Sequence, residues 1–437
     1  LRRPSALRRL EFAVRRARQG AWAAHLRGRR RLAAHLAARG IRLHRRLGYR
    51  RADALSLAGL WHVLGAARRN RSGALERAVA ICRGGRDSAA EPRPTGAEEE
   101  ALRRMEAESL LRLGQYRDAF EAFGSLAVFS AESAEASERL VAPFRLRHDA
   151  LLVDRLVRLG RLEVGVGSSA ASSLRQVLSS LLGQCEAADP SSTGGEELVW
   201  WAKAGGLDAA TAGHLASGFY DRLPSLCPYP GERLQEWDER DPLSCGEHWE
   251  KSQTAFLSSG LIVVDDFFTE AALSELWNFA CEAPCFRSLR PGYLGAFPAD
   301  GCVHPMLRCC ARALERRLPK VLSGRPLARW WLFKYTSCGS HGVGLHADDA
   351  AVNVNVWLTP DAARRAGGGL EVFRRAPPSG ACANEFNRVL GSPGADLAAR
   401  SFLSALGGVD HIPYKQNRAC IFVSDRFHAS ERFDFAD

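Results

Sequence analysis

The stretch His341-Gly-Val-Gly-Leu-His346-Ala-Asp348-Asp-Ala-Ala-Val-Asn353-Val-Asn355-Val-Trp357-Leu-Thr359-Pro360 decides how the chain is read. Val352, Val354, Val356 and Leu358 alternate strictly with Asn353, Asn355, Trp357 and Thr359, which is the period of a strand. One face is core; the other is polar enough to line a pocket. His346 and Asp348 are two residues apart, so on an extended chain both side chains leave the same face.

The surroundings carry the same signal. Gly260 to Phe268 begins as a buried strand and leads into a helix that Thr269 caps and Glu270 favours through the helix dipole. A second helix is expected from Pro305 to Leu322. Strands follow at Trp330 to Thr336, Gly344 to Asp348, Val352 to Thr359, Gly369 to Phe373 and Ala419 to Ser424. Short strands with glycine turns behind two helices predict a sandwich or jelly roll.

A second histidine arrives in Asn417-Arg-Ala-Cys-Ile-Phe-Val-Ser424-Asp-Arg-Phe-His428, at the end of another strand. Two imidazoles and a carboxylate on adjacent strands are the donor set of a 2-His-1-carboxylate facial triad, which binds iron on one face and leaves three positions open. His-x-Asp alone is a weak signal, and a lone histidine is by default a packed or surface residue. Strand context, chain order and the room between the two histidines raise it above that default.

The C-terminal stretch resembles the 2-oxoglutarate and Fe(II)-dependent oxygenases, in particular a group with helical, tetratricopeptide-like N-terminal regions. The matching residues are Phe333-Lys-Tyr335, His346-Ala-Asp348, Ala351-Val-Asn-Val-Asn355, Trp357-Leu-Thr-Pro-Asp361, Gly368-Gly-Leu370, Tyr414-Lys-Gln-Asn-Arg-Ala419, and Phe422-Val-Ser-Asp425 leading to Phe427-His428. Gly260 to Asp266, Gly292 to Ala296 and Arg145-Leu-Arg-His-Asp149 add weaker matches upstream. The resemblance implies a double-stranded β-helix with His346, Asp348 and His428 as iron ligands. It further implies Fe(II) with 2-oxoglutarate and O2 as co-substrates, and a dioxygenase that hydroxylates or otherwise oxidises a protein or small-molecule substrate, releasing succinate and CO2. Tyr335 is read either as a hydrogen-bond donor to the co-substrate carboxylate or as a core aromatic. Relatives place the cation for the far carboxylate ten or more residues beyond the second histidine, whereas this chain ends at Asp437. Arg432 is the one basic residue left, and on a regular strand it would share the inward face of His428. The alternative expectation is that the anchor and the rest of the final strand lie on sequence beyond Asp437.

Upstream, Ala107 to Phe123 carries Gly114, Tyr116, Ala119 and Phe123 at the small and large positions of a tetratricopeptide helix pair, with a weaker echo over Ala54 to Cys82. The organisation expected is a basic segment over 1–50, a repeat-like helical region over 51–160, a mixed helical and irregular linker over 161–255, and the oxygenase domain over 256–437. Within the linker, Asp189 to Gly195 reads as a turn, Leu198 to Leu223 as a helix, and Cys227 to Gly246 as irregular. A protein partner on the helical region, beside a domain that has lost catalysis, is the alternative to an enzyme. A cupin-type jelly roll holding another metal is a third.

Composition sets the limits. At 437 residues, 46% hydrophobic and 25% charged, the chain has the makeup of a globular protein with two or more domains. The net charge is +11, but residues 1–50 hold sixteen arginines against one acid, Glu11, and the remainder is mildly negative. That asymmetry gives no specific nucleic-acid module, and it leaves organelle targeting or a basic surface helix open for residues 1–50. Twelve scattered cysteines make neither a disulfide framework nor a zinc spacing. No apolar run reaches the eighteen or so residues of a membrane span, so a soluble chain, cytoplasmic by default, is expected.

Overall fold

Alanine is what lets the first helices pack closely. Helices α1 (Ala6–Leu26) and α2 (Arg30–Leu47) bury Ala21, Ala24, Ala33, Ala34, Ala37 and Ile41 against Leu60, Val63 and Leu64 of α3 (Ala54–Ala67). Gly40 shows how tight the approach is: a Cβ there would sit 2.7 Å from Leu60 Cδ2. Arg16, Arg29, Arg30, Arg31, Arg39 and Arg42 of this stretch are exposed, while Arg18 donates to Ser56 of α3 at 3.0 Å. Residues within 21–41 therefore share one hydrophobic cluster with α3, across the boundary expected at residue 50.

The pattern continues through α4 (Ser72–Asp87), α5 (Gly96–Arg112) and α6 (Tyr116–Glu132). Each of α1, α3 and α5 pairs with the helix that follows it, and the three lie side by side. Thr95 and Glu98 form a capping box at the start of α5. Between α5 and α6 the turn needs a left-handed residue, which Gly114 supplies with φ +74. The sequence shows one clear repeat and one faint one, because in the first pair alanines do the packing without the marker aromatics.

The computed structural model describes residues 6–26, 29–47, 54–67, 72–87, 95–132, 140–141, 143–162, 199–200, 227–245, 249–290, 293–335, 338–348, 350–377, 383–390 and 395–436. It holds a helical N-terminal region followed by helices mixed with small antiparallel sheets, with no closed barrel among those residues. No helix among them is long and apolar enough to cross a membrane. Val199–Trp200 pairs antiparallel with Leu140–Val141, so the start of the stretch expected to be a helix from Leu198 is extended; the rest of that stretch and the Asp189 to Gly195 turn lie outside the described residues.

The two regions share a core. Phe120 of α6 stacks on Trp330 at 4.2 Å between ring centroids, and Phe123 meets the same indole edge-on. The Tyr116 hydroxyl donates to Glu315 Oε1 at 2.5 Å and accepts the Leu327 N–H at 2.7 Å. Helix α7 (Pro143–Arg158) adds ion pairs from Arg155 to Glu282, and Lys334 donates to His148 at 3.0 Å. The Arg145 to Asp149 motif therefore ties α7 to the second region.

There, helices α8 (Trp249–Ser259), α9 (Glu270–Glu282) and α10 (Pro305–Arg317) cover one side of the strands. Thr269 caps α9 as expected, its side chain accepting from the Ala272 N–H. The helix expected from Pro305 to Leu322 is broken at Leu318, where Pro319 bars the residue before it from helical geometry and Leu318 sits at φ −122, ψ 52; a further helical turn, Pro319–Leu322, follows.

The strands are β1 (Leu261–Val264), β2 (Ser288–Arg290), β3 (Tyr293–Ala296), β4 (Leu332–Tyr335), β5 (Cys338–His341), β6 (Val352–Val356), β7 (Arg364–Gly367), β8 (Leu370–Phe373), β9 (Val409–Ile412), β10 (Ala419–Val423), β11 (His428–Ser430) and β12 (Arg432–Phe435). They form four three-stranded antiparallel sheets, in the orders β9-β8-β11, β1-β10-β6, β5-β12-β7 and β2-β3-β4. Val352, Val354 and Val356 face the helices, beside Ile262, Ala419 and Ile421. The opposite face of β10, with Cys420 and Phe422, packs on Leu370, Val372 and Ile412 of β8 and β9. Asn417 adopts φ +60, a conformation asparagine tolerates, and bonds Phe268 with both ends of its amide, at 2.8 Å each.

Candidate metal centre

His346 and His428 meet through their backbones. Each N–H donates to the other's carbonyl, at 3.0 and 2.8 Å, as in an antiparallel bridge. Residues on such a pair stand side by side on one face, and the two imidazoles lie 4.1 Å apart between centroids. Asp348 leaves the same face two residues on, as its spacing from His346 predicts. Its Oδ1 is 3.9 Å from His346 Nε2 and its Oδ2 is 3.5 Å from His428 Nε2. The three donor atoms all lie within 4.8 Å of one another.

Ring orientation suits a cation. His346 Nδ1 lies 2.8 Å from the Gly344 carbonyl and His428 Nδ1 lies 2.9 Å from the Arg426 carbonyl. A carbonyl only accepts, so each Nδ1 carries the proton and each Nε2 presents its lone pair toward Asp348. This pattern is typical of metal-bound histidine. Phe422 packs edge-on against the His428 ring, centroids 4.9 Å apart, and limits its rotation.

Charge state agrees. Burial, followed by the neighbouring His428 ring, pushes the His346 pKa down to about 4, so the imidazole is neutral near pH 7. Burial works against the Asp348 charge, yet the neighbouring His428 and His346 rings and the hydrogen bond from the Asn353 amide outweigh it and hold the carboxyl at about 2. Two imidazole nitrogens and one ionised carboxylate fit a divalent cation of borderline softness.

The segment holding His346 is supported on its other edge by two helices, α11 (Ala383–Leu390) and α12 (Ala395–Gly407). Asp396 Oδ1 accepts the Leu345 N–H at 2.6 Å, and Asn387 bonds both polar atoms of the Ala347 backbone. Arg400 links Asp396 to Glu371 of β8. Nothing in the stretch from Arg374 to Leu406 signals this role in sequence, since no spacing rule relates it to His346.

Tyr335, at the end of β4, hydrogen-bonds Ser430, two residues beyond His428, and packs edge-on against Phe433 at 5.1 Å. Burial raises its phenol to about 12, so it remains a donor at neutral pH. Arg432 is not brought to the group. The chain changes sheets at Glu431: β11 pairs with β8, whereas β12 pairs with β5 and β7. Face alternation does not carry across that switch, so Arg432 is exposed and Phe433 is the buried residue.

Among the described residues this is the one group of three or more His, Cys, Asp or Glu donors close enough to share an ion. Compared with protein-family models, curated proteins and solved structures, the chain matched none.

Proposed function

We propose that the chain is an Fe(II)- and 2-oxoglutarate-dependent oxygenase that hydroxylates or otherwise oxidises a carbon of a protein or small-molecule substrate. The observation that carries this reading is the convergence of His346 Nε2, His428 Nε2 and an Asp348 carboxylate oxygen, with the Nδ1 of each ring turned to a backbone carbonyl. Fe(II) held there supplies the redox chemistry that couples decarboxylation of 2-oxoglutarate, with O2 as oxidant, to oxidation of a substrate C–H bond, one oxygen atom going to succinate and one to the substrate.

The chain's own residues orient and shield. His346, Asp348 and His428 hold the cation from one side and leave the other for co-substrate and substrate. In this reading the hydroxyl of Tyr335, which hydrogen-bonds Ser430 beyond His428, would donate to a co-substrate carboxylate. Cys420, Phe422, Leu370 and Val372 keep the layer behind the ligands dry, which strengthens every charge interaction at the site. A double-stranded β-helix is the fold this reading takes, and strand order supports it. The His346 segment, β11, β8 and β9 lie in one layer, and β10 faces that layer from the next sheet.

The test is succinate release by the full chain with Fe(II), O2 and 2-oxoglutarate, alongside His346→Ala. Equal turnover in both would overturn the assignment. The exposure of Arg432 favours a second reading, an interaction protein whose stacked helical pairs bind a protein partner and whose oxygenase-like domain is silent. Tight Fe(II) binding without succinate release at any 2-oxoglutarate concentration would select it.

A further inference from the structure

Asp348 lies on the short segment between β5 and β6, outside any strand, and a carboxylate on such a segment turns easily about its last torsion. Here it does not stand alone. Asn353, the second residue of β6, donates Nδ2–H to Asp348 Oδ2 at 2.6 Å. Its own amide is set in turn by Ser424, whose hydroxyl donates to Asn353 Oδ1 at 2.8 Å. Because an ionised carboxylate only accepts, the NH2 must face Asp348, which leaves the amide oxygen on the Ser424 side to accept the hydroxyl proton and hold that orientation.

Ser424 is itself fixed from the main chain. It is fully buried just beyond β10, its N–H donates to the Ala351 carbonyl at 3.2 Å, and its carbonyl accepts the Asp348 N–H at 3.1 Å. The bonds close a ring: Asp348 backbone to Ser424, Ser424 hydroxyl to Asn353, Asn353 amide to the Asp348 carboxylate. Backbone and side chain of the same residue are therefore held together, the one by Ser424 beyond β10 and the other by Asn353 of β6.

Resting on the metal-centre reading, the geometry points to Asn353 as the positioning residue of the carboxylate ligand, with Ser424 acting through it. The chemistry of the donor matters. An arginine or lysine in this place would orient the carboxylate but also neutralise it and compete with the cation. A neutral amide takes one lone pair of Oδ2 and leaves the full negative charge for the metal. Asn353 and Ser424 lie 71 residues apart in sequence, and only the pairing of β6 with β10, which sets Asn353 opposite Phe422, brings them together.

Metal affinity tests the inference independently of turnover. Co(II) is titrated into metal-free full-length protein and followed by its visible absorption, with the thermal midpoint of the metal-free protein recorded for each variant. Loss of an outer hydrogen bond to a metal ligand weakens binding by about 10- to 100-fold, and that range is expected for Asn353→Ala, with an altered Co(II) spectrum and little change in the metal-free midpoint. Ser424→Ala should lose less, since its amide partner remains but is free to flip. The double variant should bind no more weakly than Asn353→Ala, because the hydroxyl acts only through the amide. Wild-type affinity in Asn353→Ala, or additive losses in the double variant, would overturn the relay while leaving the metal centre standing. Wild-type affinity in His346→Ala would overturn the metal centre itself. Should Asn353→Ala fail to fold, Ser424→Ala alone decides, wild-type affinity and spectrum counting against the relay.

Discussion

Asn387 grips Ala347 by both polar atoms of its backbone, donating Nδ2–H to the carbonyl at 2.8 Å and accepting the N–H on Oδ1 at 3.0 Å. Ala347 stands between His346 and Asp348, on a segment whose opposite edge is already bonded to His428. Peptide groups on a one-sided strand otherwise turn to water, or to whatever strand comes along. Asn387, with Asp396 on Leu345, supplies the missing partner from helices.

Asn387→Ala removes both bonds at once. With a typical net worth of about 0.5–1.5 kcal/mol for each hydrogen bond, the expected loss is about 1–3 kcal/mol, read as a lower urea midpoint. Co(II) affinity should fall with it, because the segment that presents His346 and Asp348 then has support on one edge only. A variant with wild-type stability and affinity would show that the helices merely cover the site.

Phe120→Ala tests whether the helical region and the strand-bearing region fold as one unit. The ring is buried and stacked on Trp330. Its removal should cost about 3–5 kcal/mol, and tryptophan fluorescence and far-UV circular dichroism should shift together to the lower midpoint. Separate transitions, with only the helical one moved, would contradict a common core.

His62 gives the stability a pH dependence. Burial, then the charges of Arg112 and His25, lower its pKa from 6.5 to about 3, and its Nδ1 bonds Ser109 Oγ at 2.8 Å. Between those values the unfolded chain binds the proton and the folded one does not, so stability is lost as pH falls. The penalty is absent well above pH 6.5, grows as pH drops toward about 3, and is constant below. Its slope is at most about 1.4 kcal/mol per pH unit for this one group. His62→Met should flatten urea midpoints measured between pH 7 and pH 5 relative to wild type, and parallel curves would contradict this assignment.

Arg432→Ala should leave the 2-oxoglutarate dependence of succinate release within about twofold, a change of less than ~0.5 kcal/mol in binding. The side chain is exposed, on a strand of another sheet beyond the switch at Glu431. A tenfold rise in the 2-oxoglutarate requirement would restore it as the carboxylate anchor.

Much of the site is legible in sequence wherever the physics is local. His346 and Asp348 share a face because a strand has period two, and the valines of β6 face the helices for the same reason. The Thr269 cap and the glycine turn at Gly114 follow from single-residue chemistry, whereas the apolar spacing over Pro305 to Leu322 hides the break that Pro319 makes. Where several weak rules had to agree over distance, the reading failed. The alanine helices of residues 6–47 have no periodic aromatic to mark their packing, and α11 and α12 lie in a stretch that spells nothing.

By itself, then, the sequence determined which residues leave the chain in the same direction, because bond geometry and strand period act over two to four positions. Only tertiary structure decided which chain segments lie next to each other: that His428 bonds His346, that Ser424 reaches Asn353, that Asn387 covers Ala347, and that Arg432 passes into another sheet. Those neighbours are chosen by the burial of whole faces, the layer of Cys420 and Phe422 against Leu370 and Val372 above all, and a burial free energy summed over many residues is written in no one stretch of the chain.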